Sequence, residues 1–221
     1  ASTNKVYGGL EHMDVEEGEK RYSFAGGVAG VTEQTPLDFH SPYGCSKGTA
    51  VQYVRDYSRL YDLNTVVLRQ SCIYGPHQMG VEDQGWVAWF MIATMFNRPV
   101  TIYGNGKQVR DLLYVDDLVA AYNACIENPE KVSGEVFNMG GGPTNTLSLL
   151  EFLTFLKDDL SMNVNFSYGD TRPGDQPIFV SDNSKFMQAT GWSPQFDTQK
   201  GIANLLEWLK ENKSKLEGFY S

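Results

Sequence analysis

Nowhere in the 221 residues does an uninterrupted apolar run approach the ~18–20 residues that a membrane-crossing helix needs. Basic residues are scarce too. Eighteen Lys and Arg stand against 27 Asp and Glu, for a net charge of −9 and a pI near 4.8. No Lys/Arg cluster forms, which argues against a nucleic-acid-binding face. The three cysteines, Cys45, Cys72 and Cys125, are odd in number and far apart. That speaks against a disulfide framework and a metal site, and suits a reducing cytoplasm. Neither His40 nor His77 has a second ligand at metal spacing, and His12 is expected to be solvated. The first residues lack the charged-then-apolar pattern of a secretory leader. There is no internal repeat. The acidic run "EHMDVEEGEKRYSFAGGVAG" (11–30) is expected to be a surface excursion.

What is present alternates. Apolar residues at Val51, Val54, Tyr57, Leu60 and Tyr61 share one helical face within 43–61. "NTVVLRQS" (64–71) is a β-branched run and predicts a buried strand. "GWVAWFMIATMF" (85–96) is apolar almost all round and predicts a buried helix. "VTIYG", "NGK" and "QVRDLLYV" predict strand, Asn-Gly turn and strand, as in a hairpin. A helix over 116–128 is expected to take an Asp N-cap. "GEVFNMG" (134–140) predicts another buried strand, and "SLLE" (148–151) a capping box opening a helix to about residue 159. "NVNFSY" predicts a strand, and 200–216 one amphipathic closing helix. Strands alternating with helices predict the α/β class with a parallel sheet flanked by helices.

Within the first of these helices, "SPYGCSKGTA" (41–50) sets Tyr43 and Lys47 four positions apart, on one helical face. An ammonium beside a phenol favours the phenolate, which can take a proton from a hydroxyl and return it. The plain alternative is a Tyr/Lys pair on a solvated face, and Y-x-x-x-K alone does not decide. The surrounding segments bear on it: "ASTNKVYGG" (1–9) puts small hydroxyl residues before a V-Y-G turn. "VVLRQSCIYGP" (66–76), "IYGNGKQVRDLLYVDDL" (102–118) and "TRPGDQ" (171–176) follow in order. Together they resemble the extended short-chain dehydrogenase/reductase family of nucleotide-sugar epimerases and dehydratases, over nearly the whole chain.

The resemblance implies a Thr/Ser–Tyr–Lys site. Thr3 falls on the catalytic hydroxyl position, with Ser2 as the alternative. Tyr43 would be the acid/base, and Lys47 would bind the nicotinamide ribose of NAD. Gln70, Ser71 and Cys72 follow the strand that passes the nicotinamide. Cys72 is expected to be a small buried residue and not a nucleophile. Arg110, Arg172 and Asp175 match positions that hold diphosphate and ribose, and a guanidinium fork suits a diphosphate. The alternative for each arginine is a surface ion pair. Tyr103 would lie against the base, and Trp86 would cap the nucleotide, whereas Trp89 and Phe90 are expected in the core. His40 and His77 are candidates for substrate contact.

In fold, the resemblance implies the C-terminal part of a Rossmann-type parallel sheet with a smaller α+β substrate-binding part. The expected division is 1–75 and 115–142 in the dinucleotide-binding domain, 76–114 a substrate-binding insertion, and 143–221 a nucleotide-sugar-binding domain. The family's G-x-x-G-x-x-G turn, which holds the cofactor diphosphate at a helix N-terminus, is not in this sequence. "FAGGVAG" and "MGGGP" lack its spacing. The chain is therefore expected to be a fragment, inactive alone and weak for NAD. The implied activity is NAD-dependent epimerisation of a nucleotide-diphosphate sugar through a keto sugar, with a CDP-sugar and C2 favoured. A UDP-sugar 4-epimerase is the alternative. A 4,6-dehydratase is disfavoured because Asn4 and Lys5 follow Thr3, where those enzymes usually carry an Asp-Glu pair. A non-catalytic binding protein is disfavoured because both Tyr43 and Lys47 are kept. The full-length protein is expected to be a cytoplasmic homo-oligomer, a dimer or tetramer.

Overall fold

A computed structural model of the chain describes residues 1–220. In chain order the elements begin with β1 (Ser2–Thr3), β2 (Val15–Glu17), β3 (Tyr22–Phe24), α1 (Ser41–Tyr61), β4 (Val66–Gln70) and β5 (Cys72–Tyr74). Next come α2 (Trp86–Met95), β6 (Val100–Tyr103), β7 (Val109–Tyr114), α3 (Val115–Glu127), α4 (Pro129–Val132) and β8 (Glu135–Met139). The chain continues with β9 (Thr146–Ser148), α5 (Leu149–Asp158), β10 (Phe166–Gly169), β11 (Ile178–Phe179), α6 (Ser184–Thr190), α7 (Thr198–Glu211) and α8 (Lys213–Tyr220). The α/β class holds: β1, β4 and β8 form one parallel sheet, while β11, β7 and β5 run parallel in a second, to which β9 adds an antiparallel strand on β7. The chain passes from the first sheet to the second at Ser71, between β4 and β5.

Local signals held where their partners lie close in sequence. Ser148 and Glu151 form the expected capping box, with Ser148 Oγ accepting from Glu151 N at 3.0 Å and Glu151 Oε2 from Ser148 N at 2.8 Å. The all-round apolar α2 is enclosed, with Val87, Ala88, Met91 and Ile92 buried against β6, α5 and α7.

Three expectations are corrected. The Asn105-Gly106 turn forms, with Gly104 and Gly106 in the left-handed region, but β6 and β7 do not pair. Instead β6 pairs with β10, and β7 with β5, β9 and β11. An Asn-Gly turn bends the chain; where each strand then pairs depends on segments far along the sequence. The third helix has no Asp N-cap: its cap is Tyr114, and Asp116 and Asp117 lie in its first turn. The Asp117 carboxylate turns inward and accepts from the backbone of Gln195 and Phe196. The closing helix breaks at Asn212, whose amide side chain donates to Trp208 O. Beyond the break, Tyr220 donates to Gly80 O at 2.9 Å and stacks on Phe96, drawing α8 back onto α2. The helix expected over 43–61 forms; of its apolar positions Val51 is buried, and Tyr57, Leu60 and Tyr61 are exposed.

The acidic excursion is tied down by the β2–β3 hairpin. Tyr22 N donates to Lys107 O, Lys107 pairs with Glu17, and Arg21 reaches Glu151 and Thr146. It thus braces the β6–β7 turn. Among the described residues, no helix is long and apolar enough to cross a membrane.

Candidate active site

Two glycines set the distance between α1 and the V-Y-G segment. A Cβ on Gly44 would stand 3.0 Å from Lys5 O, and one on Gly48 would overlap the Phe39 ring. Without side chains there, the first turns of α1 lie against the 3₁₀ turn Asn4–Tyr7 that follows Thr3. Lys47 Nζ donates to Ala1 O at 3.2 Å. Tyr43 is 53% exposed, and its hydroxyl makes no hydrogen bond among the described residues. Thr3 is buried at the end of β1; its hydroxyl accepts from Lys5 N and donates to Asn4 Oδ1, each at 3.2 Å. Ser2 is buried with its hydroxyl unpaired.

On the other side lies a cluster of charge. Arg110 Nη2 meets Asp175 Oδ1 at 2.7 Å, and the same oxygen stands 3.5 Å from Lys5 Nζ. Arg172 lies flat on the Tyr103 ring at 3.8 Å and pairs with the exposed Asp83. Tyr103 Oη donates to Glu82 at 2.7 Å. Trp86, Tyr103, Arg110, Arg172, Asp175 and Lys5 all line one cavity of about 340 Å³. A second, of about 470 Å³, is lined by Lys5, Gly8, His40, Ser41, Tyr43 and the Pro173–Gly174 turn. Lys5, Pro173 and Gly174 belong to both. Burial first, and the neighbouring Arg110 guanidinium second, hold the Lys5 ammonium below the usual lysine range, while Asp175 opposes them.

The five residues assigned to the nucleotide sugar apart from Thr3 thus share one cavity, and Tyr43 lines the adjoining one. The remaining candidates are elsewhere. Gln70 donates to Tyr122 Oη at 2.6 Å. The Ser71 hydroxyl donates to Asp111, and burial above all pushes the Cys72 thiol up to about 12. Thr3 and Lys47 line neither cavity. His77 stacks on Trp208 in a separate apolar cavity, with the ring centroids 4.9 Å apart. His40 meets Asp38 through Nε2 at 3.0 Å and Glu11 through Nδ1 at 3.9 Å. This cluster was not visible in the spacing. Asp38 is within hydrogen-bond distance of His40, whereas Glu11 stands too far for a direct bond, on the other ring nitrogen.

Sequence reasoning also missed three supports. Lys5 had counted only as a departure from a dehydratase pattern. Gln176, wholly buried, accepts from Asn4 and donates to Gly8 O, fastening the V-Y-G turn to the 172–177 segment. Asp111, beside Arg110 in V-R-D, accepts from Ser71, from Ser181 twice and from Gly142 N. Burial holds its carboxyl above the usual range. Only the tripeptide V-R-D could have pointed to it.

A parallel α/β scaffold carrying an arginine-lined cavity beside an open Tyr–Lys helix agrees with the family comparison: residues 1–140 match the NAD dependent epimerase/dehydratase family, and the chain belongs to it. More particularly, it is 45% identical over 213 residues to the CDP-paratose 2-epimerase of Salmonella typhi, covering 94% of this chain and 63% of that protein. Among solved structures, the UDP-glucose 4-epimerase of Thermotoga maritima with UDP-glucose matches with a TM-score of 0.79 at 28% identity, over 96% of this chain and 62% of that one. The dTDP-glucose 4,6-dehydratase of Bacillus anthracis in complex with NAD matches with a TM-score of 0.77 at 26% identity, over 96% and 61%. The chain spans about three fifths of the length of these relatives.

Proposed function

We propose that the protein epimerises a nucleotide-diphosphate sugar with NAD as cofactor, and that the sugar nucleotide is CDP-paratose, inverted at C2. The observation that carries the reaction class is the pair of adjoining cavities: two arginines in one and an unpaired tyrosine hydroxyl in the other. The particular substrate is supported by the 45% identity to a CDP-paratose 2-epimerase. A UDP-sugar 4-epimerase is the second reading, supported by the structural likeness to one.

In this reading Arg110 and Arg172 hold the diphosphate, whose charge replaces the carboxylate partners they now have. Asp175 accepts from ribose hydroxyls, Tyr103 and Trp86 flank the nucleotide, and Thr3 hydrogen-bonds the reacting sugar oxygen. Tyr43 removes the proton from that hydroxyl and returns it. Nothing in the donor set conflicts with the nicotinamide end of NAD: Gly44, next to Tyr43, packs on Lys5 O just past the carboxyl end of β1, where such folds bind cofactors, and Lys47 reaches back to Ala1 O at the start of that strand. Gln70 and Cys72 follow in the same place, whereas Ser71 is engaged by Asp111. Bound there, NAD would take hydride from the sugar carbon and give it back. A homo-oligomer belongs to the same reading, supported by the exposed Tyr53, Tyr57 and Leu60 on α1.

The test is mass-spectrometric and NMR assay of the protein at its full natural length against CDP-, UDP-, GDP- and dTDP-sugars. Interconversion of CDP-paratose and CDP-tyvelose is expected. Epimerisation of UDP-sugars alone would move the assignment to the second reading, and loss of water from a dTDP-sugar would replace both.

A further inference from the structure

Lys5 is the side chain on the wall between the two cavities, and three features fix it there. Its backbone N–H is held by Thr3 Oγ1 at 3.2 Å. Its carbonyl lies opposite Gly44 of α1, one residue from Tyr43, 3.0 Å from where a Cβ there would stand. Its ammonium faces Asp175 at 3.5 Å, well beyond the 2.7 Å of the Arg110–Asp175 contact. Asp175 is thus Arg110's tight partner and only a loose one for Lys5. An ammonium has three donors; here its side chain is 34% exposed and, among the described residues, no carboxylate other than Asp175 pairs with it.

A nucleotide sugar with its diphosphate at Arg110 and its reacting hydroxyl at Tyr43 must pass this wall with its sugar ring. We propose that Lys5 is a sugar-binding and specificity-determining residue, its ammonium donating hydrogen bonds to oxygen atoms of the sugar between the Arg110 clamp and Tyr43. The inference rests on the function proposed above and assigns the residue that reads the sugar itself. The burial that disfavours the Lys5 charge is consistent with a cation lacking partners until an oxygen-rich ligand arrives.

The experiment is calorimetric titration of the full-length protein with two probes: the nucleotide sugar it turns over and the matching nucleoside diphosphate. Lys5→Met keeps the aliphatic stem and removes the donors. It is expected to weaken the sugar nucleotide about 10- to 100-fold while leaving the diphosphate within about twofold. Lys5→Arg should recover part of the loss. Arg110→Ala should weaken both probes alike. Equal loss of both probes in Lys5→Met, or loss of neither, overturns the assignment and leaves the clamp standing. No binding of either probe by the wild type, or no loss in Arg110→Ala, overturns the site reading and the Lys5 role with it. Should Lys5→Met fail to fold, Lys5→Arg decides alone: its longer side chain must change the ratio of the two affinities, and an unchanged ratio sinks the proposal.

Discussion

The proposed clamp and the proposed acid/base helix are built in opposite ways. Arg110 is partly buried on β7, its side chain 13% exposed, paired at 2.7 Å, and flanked by Lys5 and the 172–177 segment, which Gln176 fastens in turn. Tyr43 stands half exposed near the start of α1 with no partner for its hydroxyl. The arginine cluster is already assembled around an internal carboxylate, so in the proposed reading its side chains would serve both stability and binding. Tyr43 supports little of the fold and is free for chemistry. Substitutions in the two regions should therefore separate in what they damage.

The widest separation is expected at Tyr43. Tyr43→Phe should lower kcat of the full-length protein by about 10²–10⁴, with sugar-nucleotide affinity and melting temperature nearly unchanged. Turnover close to wild type would remove Tyr43 from its role and collapse the contrast. Next, Arg110→Ala should cost about 1.5–3 kcal/mol in sugar-nucleotide binding, the range for charged hydrogen bonds. It should also lower the denaturation midpoint, because Asp175 loses its tight partner. Arg172, resting on Tyr103 and paired with the exposed Asp83, should show the binding loss with less of the stability loss; calorimetry and urea unfolding on both variants read the two effects. The smallest change tests the spacing between the regions. A Cβ at Gly44 meets Lys5 O at 3.0 Å, so α1 must give by a few tenths of an ångström. Gly44→Ala is expected to lower kcat on the order of tenfold through misplacement of Tyr43. The better helix propensity of Ala would offset part of any stability cost. Unchanged kcat would show that the α1 contact does not position Tyr43.

The same contrast explains what the sequence made legible. Tyr43 and Lys47 share a helical face because four positions is a helical turn, and the Ser148–Glu151 capping box is equally local. Both could be found by counting. The Arg110–Asp175 contact spans 65 positions and Lys5–Asp175 still more, so no spacing announces either. Arg110, Arg172 and Asp175 were singled out only through resemblance. Lys5 entered only as a departure from the dehydratase pattern, and its place beside Asp175 could not be counted from the sequence. The failed β6–β7 hairpin has the same root: Asn105-Gly106 encodes a turn, while pairing is decided by β10 and β11, over 60 residues on. In α1 the period revealed a helix, but periodicity does not say that Tyr57, Leu60 and Tyr61 stay exposed, with Tyr57 and Tyr61 set against each other.

Asp111 has a mechanical consequence. Its carboxylate bolts together the point where the chain leaves the first sheet, at Ser71, the glycine loop at Gly142 and the end of β11 at Ser181. Sliding one sheet against the other would strand a buried carboxylate, at a cost of about 1–3 kcal/mol for each lost partner and more where the charge is left bare. Hinge bending between the two sheets is thus locked out. Any closure over a bound sugar must come from pieces outside the bolt, and the exposed Glu82–Asp83 corner facing Arg172 is the loosest of those at the cavity mouth.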